Sequence, residues 1–239
     1  DTSANWRNAF AHGLIFFNRD TNQCVAESPV DFTNGTWYPS KLIVNQNYTM
    51  PFKAKITGTK TTIPGYQGFA LKLAVENTGT EPLNLNILSL TILNSLAVFT
   101  GISSPTDSVA VNKQGTFQYL PSKNVITYSS PVSPGAFLTV GIDNQHQMES
   151  YGLENQGPPT PIASDFCDNG VINSVGEDSP AIPGSEAGLT VRLTTVPVGQ
   201  SQTFTILFVF GSSPDASVYN WENLRGQNIE QLADNFWNN

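Results

Sequence analysis

The clearest signal in this chain is period-two alternation of apolar and polar positions. In residues 68–93, GFALKLAVENTGTEPLNLNILSLTIL, Phe69, Leu71, Leu73 and Val75 alternate with Ala70, Lys72 and Ala74. That spacing predicts a strand with one buried face. Glu76 to Pro82 interrupts it with turn formers, since Asn and Gly tolerate positive φ and Pro cannot extend a central ladder. Leu83, Leu85 and Ile87 restart the alternation, and Leu88, Leu90 and Ile92 continue it on the opposite parity. A phase slip of this kind predicts a bulge or a strand that switches sheets. The stretch reads as two strands joined by a turn, with the other strands added to this pair.

Further segments follow the same pattern. Leu14, Ile15, Phe16 and Phe17 predict a short strand, and residues 18–22 a turn. Asn34-Gly35 is a turn signal between the aromatics of residues 32–38. Leu42-Ile43-Val44 is a short apolar run. Tyr48, Met50, Phe52, Ala54 and Ile56 alternate with polar residues, but Pro51 restricts that strand to an edge or a bulge. Residues 57–65 read as a loop, as do 101–114. A hairpin is predicted around Pro121–Asn124, and a strand from Phe137 to Ile142. Leu189, Val191 and Leu193 alternate with Thr190, Arg192 and Thr194. Residues 203–210 are apolar on both faces from Ile206 onward, which predicts a central strand.

Nine to eleven strands with frequent turn signals predict an all-β fold. The expected architecture is an antiparallel two-sheet β-sandwich, immunoglobulin-like or jelly-roll-like, with a short C-terminal helical tail. The division expected is an N-terminal segment 1–23, a sandwich 24–211 and a tail 212–239. Ser213-Pro214-Asp215 is a helix start, and Val218, Trp221, Leu224, Ile229, Leu232 and Phe236 follow helical spacing. Gly226 predicts two short helices there rather than one.

Composition adds the setting. The chain has 239 residues, of which 39% are hydrophobic and only 13% charged, so a real core is covered by uncharged polar groups. A net charge of −8 argues against a nucleic-acid backbone as partner. No apolar stretch is long enough for a membrane span. The chain begins at Asp1 and is read as the mature form of an exported, extracellular or cell-surface protein. Cys24 and Cys167 are then expected to form a disulfide, with two unrelated thiols as the alternative. Asn34 and Asn47 sit in N-glycosylation sequons, so attached glycans are expected where the source glycosylates exported proteins.

Residues 143–187 read as a long loop that carries eight acids, Asp143, Glu149, Glu154, Asp165, Asp168, Glu177, Asp178 and Glu186, without Lys or Arg. Asp165, Asp168 and Asn169 before Gly170 have the close oxygen spacing of a structural calcium loop, though not that of an EF-hand. The alternative is a solvated loop pinned by Cys24–Cys167. No other cofactor is expected. Paired carboxylates cleave glycosidic bonds only when they face each other, and no spacing here sets that. His146 and His12 are isolated, and no nucleophile elbow, His pair or phosphate loop occurs, so the chain alone is not expected to be an enzyme. Trp6, Trp37, Tyr38, Tyr66, Tyr151, Trp221 and Trp237 are candidates for a sugar platform or for the core.

Val75-Glu76-Asn77-Thr78-Gly79-Thr80-Glu81-Pro82-Leu83 resembles a hairpin of immunoglobulin-like domains in exported microbial surface proteins. Val196 to Phe204, with Pro197 and Gly199, resembles the entry to a later strand of those domains. The chain is in this sense similar to TasA-like and donor-strand fibre subunits. The resemblance implies self-assembly by exchange of a terminal strand, with the chain itself as partner. Under that reading Leu14, Ile15, Phe16, Phe17, Trp221, Leu232 and Phe236 would join neighbours in a fibre, pilus-like filament or surface layer. The second expectation is a carbohydrate-binding or accessory sandwich of a secreted glycoside hydrolase, with the tail as connector to a helical catalytic domain. The third is a polysaccharide-acting enzyme that draws its acids from residues 143–187.

Overall fold

The computed structural model describes residues 11–26, 36–38, 43–48, 50–92, 115–129, 137–143, 145–146, 148–154, 161–172, 182–184 and 186–237. Fourteen strands lie among them: β1 (Ala11–Asn18), β2 (Gln23–Ala26), β3 (Thr36–Tyr38), β4 (Ile43–Tyr48), β5 (Ala54–Thr62), β6 (Gly68–Asn77), β7 (Leu85–Ile92), β8 (Gly115–Leu120), β9 (Val125–Ser129), β10 (Phe137–Ile142), β11 (Met148–Glu154), β12 (Ile182–Gly184), β13 (Glu186–Arg192) and β14 (Ser201–Gly211). Three helices accompany them, α1 (Pro161–Asn169), α2 (Pro214–Leu224) and α3 (Ile229–Trp237). One sheet runs β11-β13-β7-β1-β2 and the other β12-β8-β9-β10-β14-β6-β5-β4-β3. Every strand pairing is antiparallel, so the expected two-sheet sandwich with a helical tail is what forms.

The core lies between the sheets. Leu14 and Phe16, Leu85 and Ile87, and Leu189 and Val191 face Leu71, Leu73 and Val75 and the β14 residues Phe204, Ile206 and Phe208. Both outer faces are also partly covered. Helix α1 lies on the small sheet, where Ile162 and Phe166 pack with Ile15, Phe17, Leu88 and Leu90. Helices α2 and α3 lie on the large sheet, where Trp221, Leu224 and Ile229 pack with Ala70, Val125, Leu207 and Val209. A strand covered on both sides must be apolar on both parities. This explains β14, and it also explains the phase slip in β7. Ile87 and Leu88 are both fully buried, Ile87 toward the other sheet and Leu88 under α1.

Several expectations need correcting. Residues 68–93 do not form a hairpin: β6 pairs with β5 and β14 in the large sheet, while β7 pairs with β1 and β13 in the small one. The segment Thr78–Asn84 therefore crosses between sheets. Asn77 holds the crossing, donating through Nδ2 to the Glu81 and Val196 carbonyls. Residues 57–62 are strand, not loop. Their outward Thr side chains give no apolar signal, yet Thr suits a pleated surface, and the turn comes at Pro64 and Gly65. Pro51 falls in the bend between β4 and β5. Residues 143–187 are not one long loop either, because they supply β11, α1 and β12. The predicted loop 101–114 lies outside the described residues.

The N-terminal strand is used at home. β1 sits between β2 and β7, and Leu14, Ile15, Phe16 and Phe17 are all buried within this chain. Strand exchange would have to empty that place first.

Candidate functional site

The outer face of the large sheet carries the most chemistry among the described residues. Strand register places Thr57, Thr59 and Thr61 of β5 beside Ala74, Lys72 and Ala70 of β6, and these beside Thr203, Thr205 and Leu207 of β14. Alternation puts all of them on one face. Its apolar part is covered by the helices, while of its hydroxyl side chains Thr61 is buried, Thr57, Thr59 and Thr205 are half-buried and Thr203 is exposed.

Local sequence explains how the helices reach that face. Ser213 caps α2 by accepting the Ala216 N–H at 3.0 Å, with Pro214 in the first turn. Val218, Trp221 and Leu224 then share the buried side. A Cβ on Gly141 would stand 2.6 Å from the Trp221 ring, so β10 makes room for the indole by lacking a side chain. The Arg225 guanidinium lies 5.2 Å over that ring. Gly226 has φ +83°, a conformation glycine adopts readily, and the chain turns there into α3. Lys72 bonds Glu230 of α3 at 3.0 Å, and Lys123 contacts Glu222 of α2, so each helix is tethered to the sheet by an ion pair.

Two adjoining clefts of about 140 and 150 Å³ flank the α2–α3 turn. Thr205 and Gln227 line both, so the clefts form one trough. Asp143, Gln145 and Thr203 border one end, and Thr59, Lys72 and Glu230 the other. Asp143 Oδ1 accepts from the backbone N–H groups of Gln145 and His146 and from His146 Nδ1, each at 3.0 Å. Its Oδ2 accepts from the Thr205 N–H at 2.8 Å. Burial works to raise the Asp143 pKa, but the bonds from His146, Thr205 and Gln145 outweigh it and hold the carboxyl below its ordinary value. Asp143 is therefore a clamp between the end of β10 and β14, with its oxygens already engaged.

No family model and no curated protein matches the sequence. Solved structures do. A bacterial glucoamylase complexed with acarbose superposes with a TM-score of 0.62 at 9% identity, over 95% of this chain and 31% of that one. A polysaccharide lyase gives 0.48 at 12% identity, over 89% of this chain and 27% of that one. A family GH92 α-mannosidase from Bacteroides thetaiotaomicron gives 0.43 at 10% identity, over 94% and 27%. The chain thus shares a fold with part of the glucoamylase and spans about a third of its length. The strands end at Gly211, so a match of that extent takes in part of the helical tail as well.

The described acids of 143–187 lie on different elements. Asp143 lies at the end of β10, and Glu149 on edge strand β11 pairs with Arg192 at 3.1 Å. Asp165, Asp168 and Asn169 lie on helix α1, over the small sheet, and not in a loop. Among the described residues no group of three or more His, Cys, Asp or Glu is placed to hold a metal. The sequence does carry the signal for α1 that a loop reading overlooks. Pro161 opens it, Ile162 and Phe166 are one turn apart, and Gly170 with φ +73° closes it. Cys24 and Cys167 are bonded, and the disulfide pins α1 to strand β2.

The other expected site residues are scattered. Trp221 is buried, Leu232 is half-buried against the same cluster, and Phe236 is 56% exposed. Asn47 is exposed on β4, while Asn34, Glu177, Asp178 and Trp6 lie outside the described residues. Tyr151 is buried and stacks on Tyr119 at 3.8 Å, and Tyr66 packs against the helix-covered cluster. Trp37 and Tyr38 belong to edge strand β3, and Trp237 ends α3. Tyr66, Tyr151 and Trp221 do not line the trough, whose Thr and Gln side chains form no motif that sequence reading could single out.

His12 has a different consequence. It lies between the sheets, edge-on to Phe208 at 4.9 Å, with Nε2 at 3.0 Å from Ser89 Oγ and Nδ1 without a partner among the described residues. Burial, aided by the positive charge of Lys60, drives its pKa down to about 3. The imidazole therefore stays neutral in the fold while the unfolded chain protonates near its ordinary value. Unfolding takes up a proton below that value, so stability falls as pH drops from about 6.5 toward 3. Between pH 7 and pH 5 the wild type should lose roughly 2 kcal/mol more than His12→Gln in denaturant titrations. Parallel losses in the two proteins would contradict this.

Proposed function

We propose that this chain is an accessory β-sandwich domain of an extracellular carbohydrate-active enzyme, and that it contacts polysaccharide. The observation that carries this reading is the superposition of nearly the whole chain, part of the tail included, on about a third of a glucoamylase. Two further observations support it. The Cys24–Cys167 disulfide suits an oxidising compartment outside the cell. The uncovered part of the large sheet is rich in hydroxyls and poor in unpaired charge, as a sugar-contacting surface should be. In this reading α2 and α3 lead from the sandwich toward the catalytic part of the enzyme, and catalysis resides there.

The fibre-subunit reading receives no comparable support, because β1 already occupies a place inside this chain's own small sheet. Native gels cast with soluble starch, mixed-linkage β-glucan or xylan test the proposal. Retarded migration of the wild-type chain in at least one of them, relative to a plain gel, is the expected result. Unchanged migration in all three would overturn it.

A further inference from the structure

We infer that the trough beneath the α2–α3 turn is a binding subsite for a neutral sugar ring of a polysaccharide chain. This rests on the reading above and assigns its contact to one place. The trough joins two clefts of about 140 and 150 Å³ through Thr205 and Gln227, across strands β5, β6 and β14. Its charged groups are matched within the fold. Asp143 accepts four hydrogen bonds from Gln145, His146 and Thr205. Lys72 is held at 3.0 Å by Glu230. An anionic ligand would therefore meet no unpaired cation, and a cation would meet a carboxylate already saturated.

What remains on offer is uncharged. The side-chain hydroxyls of Thr203 and Thr205 hold no hydrogen bond among the described residues. Gln145 is exposed at one end of the trough, and Asn228 borders the other. Gln227 donates through Nε2 to the Asn223 carbonyl, which leaves its amide oxygen as an acceptor. Beneath these groups Ala70, Leu207 and Ile229 are buried in the cluster under the helices and support the trough without facing into it. Uncharged hydroxyl and amide groups along an open trough match the hydroxyls at the rim of a pyranose. Uronic-acid polymers fit less well, since their carboxylates would lie beside Asp143 and Glu230 without a free counter-ion.

The test uses Thr205→Val with Gln227→Ala in the same native gels, with polygalacturonate as the acidic comparison. Neither side chain belongs to the buried core, and unchanged thermal unfolding would show that the variant folds. Losing two hydrogen bonds should weaken apparent affinity for the neutral polymer about tenfold. Retardation equal to that of the wild type would overturn the subsite while leaving the accessory-domain reading intact. Stronger retardation by polygalacturonate would overturn its neutral specificity. Loss of wild-type retardation in every neutral polymer would overturn both. As a second readout on the wild-type chain, titration with a neutral oligosaccharide should shift the backbone amide resonances of Thr205, Gln227 and Asn228. Shifts confined to other residues would also overturn the assignment.

Discussion

Replacing Trp221 by alanine is expected to cost about 3–5 kcal/mol. The side chain is 1% exposed and sits at the centre of the cluster that holds α2 to the large sheet. Leu207, Val209 and Val125 would lose their cover together, and the cavity could not be filled from β10, where Gly141 has no side chain. Trp221→Phe should be much milder. It keeps most of the ring area and removes an indole N–H that is buried without a partner among the described residues. Chemical denaturation of the three proteins checks this. Equal losses for alanine and phenylalanine would mean that packing under α2 is not what Trp221 provides.

The second large effect is expected from Cys24→Ser with Cys167→Ser. The bond joins residues 143 positions apart, and chain-entropy arguments put its stabilisation at about 5 kcal/mol for such a loop, with less often realised. Its local partners define the consequence. Cys24 lies on edge strand β2, Cys167 on α1, and both pack beside Phe17 and Phe166. Thermal unfolding should fall by roughly 10 °C or more. Hydrogen exchange should rise first in α1 and β2. A loss confined to the large sheet would contradict the placement of the bond.

Much of the sandwich is legible in the sequence where a strand has one dry face. β6 is the clearest case, since Leu71, Leu73 and Val75 are buried in the core at every second position. The same logic fails when both faces are dry. In β7 the change from Ile87 to Leu88 looks like a register defect, and only the presence of α1 on the far side reveals a second buried face. Pairing is less legible than strand identity. β6 and β7 are joined by a short polar link that suggests a hairpin, yet they lie in different sheets, because a link of seven residues can also cross a sandwich edge. The ends of the chain show the same limit. Apolar runs at 14–17 and 218–232 announce surfaces to be buried, but not what buries them, and here the covering partners are β2, β7 and the large sheet of the same chain.

The candidate site was still less legible. Thr59, Lys72, Thr205 and Gln227 are far apart in sequence, and strand pairing together with one helical turn brings them to a single trough. Thr and Gln carry no motif by themselves. The acids of 143–187, by contrast, are conspicuous because they are close in sequence, and folding places Asp143 at the end of β10 in the large sheet and Glu149 on β11 in the small one.

A sandwich completed by its own β1 and covered by its own tail should exist as separate molecules. Size-exclusion chromatography with light scattering, at rising concentration and beside electron microscopy of the same sample, tests this. A single species at 25.9 kDa without filaments is the predicted result. Regular filaments that disappear when residues 1–23 are removed would contradict it and return the chain to the fibre reading.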